Sequence, residues 1–119
     1  MTGLSISSRR EEELGFLELR GEARLEEISH LQGSARGLLA DGAKSLLVGA
    51  SKLEFADSAS IGAFLELDSE CRRRGGRLVL YGLPARLRRV VADTGLDGRF
   101  HIAADEAAAR VAAGTVGKA

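Results

Sequence analysis

Residues 55–64, "FADSASIGAF", decide the fold. Upstream lies "KSLLVGASKLEF" (44–55), whose start, "SLLV", is a continuous apolar run suited to a strand covered on both faces. Downstream the apolar residues switch to helical spacing. Ile61, Phe64, Leu65 and Cys71 share one face, with Glu66, Asp68, Glu70 and Arg72 largely opposite. The ten residues therefore join a strand to a helix, and Asp57, Ser58 and Ser60 sit at the joint. One such residue suffices to cap a helix, its oxygen accepting from free first-turn N–H groups. A run of three leaves hydroxyls to spare, at an end where the helix dipole and free N–H groups tolerate a dianion. A phosphoserine there would add charge to a surface without unfolding the domain, and would deny a packed partner an apolar contact.

Outward from the joint, elements alternate. "LSIS" is a short strand candidate and "RREEE" reads as a charged turn. "LGFLELRGEA" alternates in its second half and reads as a strand ending at Gly21. From Leu25 to about Ala40, Leu25, Ile28, Leu31, Ala35, Leu38 and Leu39 form one helical stripe, stopped by Asp41 and Gly42. After the central helix, Gly75 and Gly76 break the chain, "RLVLYGL" is another strand, and Pro84 opens a helix lined by Leu87, Val90 and Val91. Thr94-Gly95 ends it. "RFHIA" reads as a short strand and "ADEAAARVAAG" as a last helix capped by Asp105 or its predecessor. The order predicts an α/β fold over residues 1–119. Its sheet is mixed, of four or five strands, with an antiparallel hairpin at one side and helices mainly on one face.

Bulk composition narrows the function. A hydrophobic share of 45% and a charged share of 29% over 119 residues fit one globular domain. The formal net charge of +0 gives no global attraction to nucleic acid or acidic membrane, so "CRRRGGR" and "ARLRR" read as solvated helix faces. Four Phe, one Tyr and no Trp offer no stacking platform for single strands. Cys71 is the only cysteine, which excludes an intramolecular disulfide and suits a reducing compartment; it reads as a buried structural thiol. The N-terminus "MTGLSISSRREEELG" lacks the apolar core of a signal peptide, and no run is long enough to span a membrane. A cytoplasmic protein without membrane insertion is expected.

Chemistry finds little support. His30 and His101, the only histidines, lie in different elements without a Cys, Asp or second His at ligand spacing, so no metal site is expected. Ser58, Asp57 and His101 lack the Gly-x-Ser-x-Gly elbow of a nucleophilic serine. "GLDGR" follows a helix instead of opening one, and no phosphate-cradling loop is present. No enzyme activity and no cofactor are expected. The candidates that remain are Ser58 and Ser60, as caps or as modified residues.

"LLVGASKLEFADSASIGAFLELDSECRRRGGRLVLYGLPARLRRVVADTGLDGRF" resembles the STAS domain of bacterial anti-sigma factor antagonists. Leu53, Phe55, Asp57, Ser58, Ile61 and Gly62 match the family's strand-to-helix motif; Gly75 and Gly76 match its next turn, Pro84, Gly95 and Leu96 its following helix, and Gly21-Glu22 its earlier strand end. The resemblance implies phosphorylation at Ser58, the serine directly after the motif Asp, with Ser60 as alternative. It implies partner binding through Asp57, Ser58, Ala59, Ser60 and Gly62. The implied partners are an anti-sigma factor, often itself a serine kinase of the ATPase type, and a resetting phosphatase. Transcription would be regulated without direct contact to nucleic acid. Four positions depart from the family: Ala59 replaces Ser or Thr, Ser60 replaces Gly, Arg24 follows Ala23 where many members carry Asp after Gly-Glu, and Gly49 replaces Asn or Asp. The rival reading is a STAS protein that is not phosphorylated: a stress-sensing scaffold, or an accessory subunit of a lipid-transport ATPase.

Overall fold

The computed structural model describes residues 3–93 and 101–114. Strands β1 (Leu4–Glu11) and β2 (Leu14–Ala23) form a hairpin, followed by a 3-10 turn (Leu25–Glu27) and helix α1 (Ile28–Ala40). Then come β3 (Ser45–Ala56), α2 (Ser58–Arg72), β4 (Leu78–Tyr81), α3 (Ala85–Asp93), β5 (His101–Ala103) and α4 (Glu106–Gly114). The five strands form one sheet in the order β1-β2-β3-β4-β5, antiparallel between β1 and β2 and parallel thereafter. This is the mixed α/β sheet expected from the alternation.

Strand order advances in one direction, so crossovers of one hand lay α1, α2 and α3 on the same face. There Leu17, Leu19, Leu46, Val48, Leu78 and Leu80 of the sheet meet Leu31, Leu39, Ile61, Phe64, Leu67 and Leu87 of the helices. The opposite face carries Phe16, Leu47, Val79, Tyr81 and Ala103 against Ala109, Ala112 and Ala113 of α4. Both faces of β3 and β4 are thus covered, which is why these strands read as unbroken apolar runs.

Three elements differ from their sequence reading. "RREEE" is not all turn: β1 continues to Glu11, and only Glu12–Glu13 turn, with Glu12 at φ 55. Pairing with β2 and the stacking of Arg9 on the Phe16 ring hold these charged residues in the ladder. β2 does not stop at Gly21 but runs on to Ala23. Gly21 sits at φ 101 with the Gly3 carbonyl against the place a Cβ would take, so the strand bends there without ending. Leu25 is 65% exposed, outside the stripe assigned to it, because its turn is 3-10 and not yet α-helical. Thr94, Gly95, Leu96, Arg99 and Phe100 lie outside the described residues.

Candidate functional site

The parallel strands β2, β3 and β4 all deliver the chain to the same end of the sheet, where α/β proteins tend to place their sites. Asp57 is the N-cap of α2, with extended backbone (φ −90, ψ 175). Its Oδ1 accepts from the Ser60 N–H and the Ser60 hydroxyl, both at 2.9 Å. Its Oδ2 accepts from the Leu25 N–H at 2.9 Å. One carboxylate thus caps α2 and ties it to the chain leaving β2. Partial burial pushes the Asp57 pKa up. The bonds from Ser60 and Leu25, with the Arg24 charge, outweigh it and hold the carboxyl below its ordinary value.

Because Asp57 serves as the cap, Ser58 does not. Ser58 is the first residue of α2 and is exposed, and its hydroxyl makes no hydrogen bond among the described residues. Ser60 departs from the exposed position expected of it. It is 1% exposed, with its hydroxyl donating to Asp57. Ser60 falls four residues before Phe64 and seven before Leu67, so helical geometry turns it into the core. Ala59 and Gly62 are half-buried, and the space beyond Gly62 is open, with no atom within 4 Å of where a Cβ would stand. Asp57, Ser58, Ala59 and Gly62 therefore lie together at the surface end of α2, with Ser60 beneath them.

Two neighbours of this end, Arg24 and Arg86, and one pair farther back in the sheet, Tyr81 with Glu18, were not singled out as site residues from the sequence. Arg24 stacks its guanidinium 4.3 Å from the Phe55 ring centroid and donates from Nε to Glu22 at 2.9 Å. Arg86 donates to the Glu54 carbonyl oxygen, fastening the start of α3 to β3. Tyr81 donates to Glu18 at 2.8 Å across β3. This last bond explains Gly49: a Cβ there would stand 2.6–2.7 Å from the Glu18 carboxylate oxygens and the Tyr81 hydroxyl. Burial and the Glu18 bond together raise the Tyr81 pKa, so the phenol stays protonated and donates. Long-range pairings such as these carry no local sequence signal; only Arg24, as a family departure, was visible beforehand.

Other sequence candidates are spread through the fold. His30 is exposed on α1, and His101 is exposed on β5 with Nδ1 3.2 Å from Arg77. Cys71 is fully buried, and burial pushes its thiol up to about 12. Asp68 is not on a solvated face as expected. It is 5% exposed, accepting from the Leu78 N–H at 2.9 Å and from Arg72 at 2.7 Å. It follows Ile61 by seven residues, two full turns, and so shares the buried stripe. Among the described residues, no group of three or more His, Cys, Asp or Glu is arranged to hold a metal ion, and no helix is long and apolar enough to cross a membrane.

The family described as "Mlab, STAS domain" matches residues 6–104. An anti-sigma factor antagonist from Mycobacterium paratuberculosis superposes with a TM-score of 0.81 at 17% identity, covering 93% of this chain and 94% of that one. The phosphorylated form of the Bacillus cell fate determinant SpoIIAA superposes at 0.70 and 19% identity, covering 90% and 97%. The murine solute carrier 26 family member A9 anion transporter matches at 0.74 and 14% identity; 90% of this chain covers 18% of that one. No curated protein matches the chain.

Proposed function

The chain belongs to the STAS domain family, in its Mlab branch, and from that premise we propose that residues 1–119 act as one regulatory protein-binding module that docks through the N-terminal end of α2 and is switched by phosphorylation of Ser58. The partner is an anti-sigma factor with ATP-dependent serine kinase activity, and a phosphatase resets the switch in a bacterial cytoplasm. One observation carries this reading. Asp57 does the capping, so the exposed Ser58 hydroxyl has no structural task among the described residues. Its phosphorylation would leave the cap intact while placing about −1.5 to −2 charges on the docking end. Ser60, the alternative acceptor, is buried and bonded to Asp57, which argues against it. The fold is similar to that of SpoIIAA, which has been solved in a phosphorylated form.

The test is phosphosite mapping of the protein from its host, with pull-down of partners. Ser58→Ala should retain the partner constitutively. Ser58→Asp should weaken the complex more than tenfold, since an unpaired charge buried in an interface costs several kcal/mol. A second reading is a static accessory subunit, of a lipid-transport ATPase or a scaffold, docked through the same helix end, where the open space beside Gly62 admits a partner without any modification. Normal binding by Ser58→Asp, with Ser58 never modified, would select that second reading.

A further inference from the structure

We propose that Arg24 is the internal receptor for a phosphate on Ser58, and that its capture of the phosphate uncovers Phe55. The inference rests on the reading of Ser58 as a phosphoacceptor. Asp57 fixes the geometry: by holding the Leu25 N–H it anchors the Arg24–Leu25 backbone at the end of α2 that begins with Ser58. The Arg24 charge already acts on the Asp57 carboxylate next to Ser58. Its side chain is 49% exposed and held by two surface contacts, one Nε–H to Glu22 and the stack on Phe55. Contacts of this kind are weak in water.

A phosphate changes the balance. It brings nearly two charges and three acceptor oxygens, against one charge on Glu22. A guanidinium edge matches phosphate oxygens bidentately, where it now makes a single Nε contact with Glu22. The dianion also needs a cation, because Asp57 beside it is anionic and both its oxygens are already taken up by Ser60 and Leu25. Arg86, a further cation at this end of the sheet, is pinned to the Glu54 carbonyl. Arg24, with its side chain 49% exposed, is free of any such backbone anchor among the described residues and can turn. When it does, the half-buried Phe55 ring loses the guanidinium lying over it. The phosphorylated form then presents a bare aromatic ring beside a charge-paired phosphate, a different surface from the unmodified one.

The test installs phosphoserine at position 58 during translation, which needs no kinase, in the otherwise native chain and in Arg24→Ala, Arg24→Gln and Arg24→Lys. Phosphorus NMR titration reads the second pKa of the phosphate. With Arg24 present this pKa should be lower than in Arg24→Ala and Arg24→Gln by roughly half a unit or more, with Arg24→Lys between them. The Phe55 ring protons should shift on phosphorylation only when Arg24 is present. Equal phosphate pKa values in the native and Arg24→Gln proteins would overturn the proposal. Absence of phosphorylation in the host would sink the Ser58 reading and leave this result standing, so the two fail separately.

Discussion

Asp57 accepts hydrogen bonds from two places 35 residues apart in the chain, Ser60 at the start of its own helix and Leu25. Loss of an N-cap acceptor costs about 1 kcal/mol, and the Leu25 N–H would be stranded as well. Asp57→Ala should therefore melt several degrees below the native protein, while Ser58→Ala, which removes no bond among the described residues, should melt within about a degree of it. The pH dependence has a defined sign. A carboxyl held below its unfolded value of about 4 stabilises the fold above that pH and loses its contribution as pH falls through the lower folded value. The melting gap between native and Asp57→Ala should be full at pH 7 and shrink below about pH 4. A gap that stays constant down to pH 2 would show that the carboxylate charge is irrelevant to the cap. The sequence displayed all three polar residues at the joint. It did not divide their labour, because Asp and Ser cap helices about equally well. Counting turns from Phe64 and Leu67 would have sent Ser60 inward.

Helix α2 works on two faces at once. Ser60, Ile61, Phe64, Leu67, Asp68 and Cys71 are buried, and the Asp68 carboxylate takes the first N–H of β4. The burial stripe is wider than apolar spacing suggests because two of its members are polar and satisfied internally; a reading by hydrophobicity alone placed Asp68 with solvent for that reason. The surface end of the helix is the opposite case. Gly62 has open space where a side chain would project, and Gly inside a helix costs up to about 1 kcal/mol relative to other residues. Gly62→Arg should fold with a melting temperature at or above native, yet lose affinity for the partner captured by the native chain. Ala59→Arg should behave similarly in binding. Circular dichroism separates folding from docking; a Gly62→Arg protein that folds and still binds as tightly as native would move the docking patch elsewhere. Strand ends were legible to within a few residues, except where a side chain from another element extends them, as Phe16 does for Arg9 in β1.

Across the whole molecule, the proposed switch and the mass of the core are separate. The larger core lies between the sheet and α1–α3, and the smaller one under α4, where a row of Ala lets the helix approach the sheet closely. The periodicity of each element was visible in the sequence. The face on which α4 lands was not, since an Ala-rich helix shows no strong apolar side and the sheet offers two. The separation has a thermodynamic consequence. A substitution at Ser58 touches neither core, so Ser58→Asp alone should melt close to native. A ligand that binds only the folded state adds RT ln(1 + [L]/Kd), about 2.7 kcal/mol at a hundredfold excess over Kd. Partner added at that excess should raise the melting temperature of native and Ser58→Ala protein by several degrees. At the same concentration a tenfold weaker Ser58→Asp complex sits at tenfold excess and gains only about 1.4 kcal/mol by the same relation, so its shift should be about half as large. Equal shifts for all three proteins would place Ser58 outside the interface. A Ser58→Asp protein that melts far below native without any partner would mean that the helix end tolerates no anion, and that capping is all the joint provides.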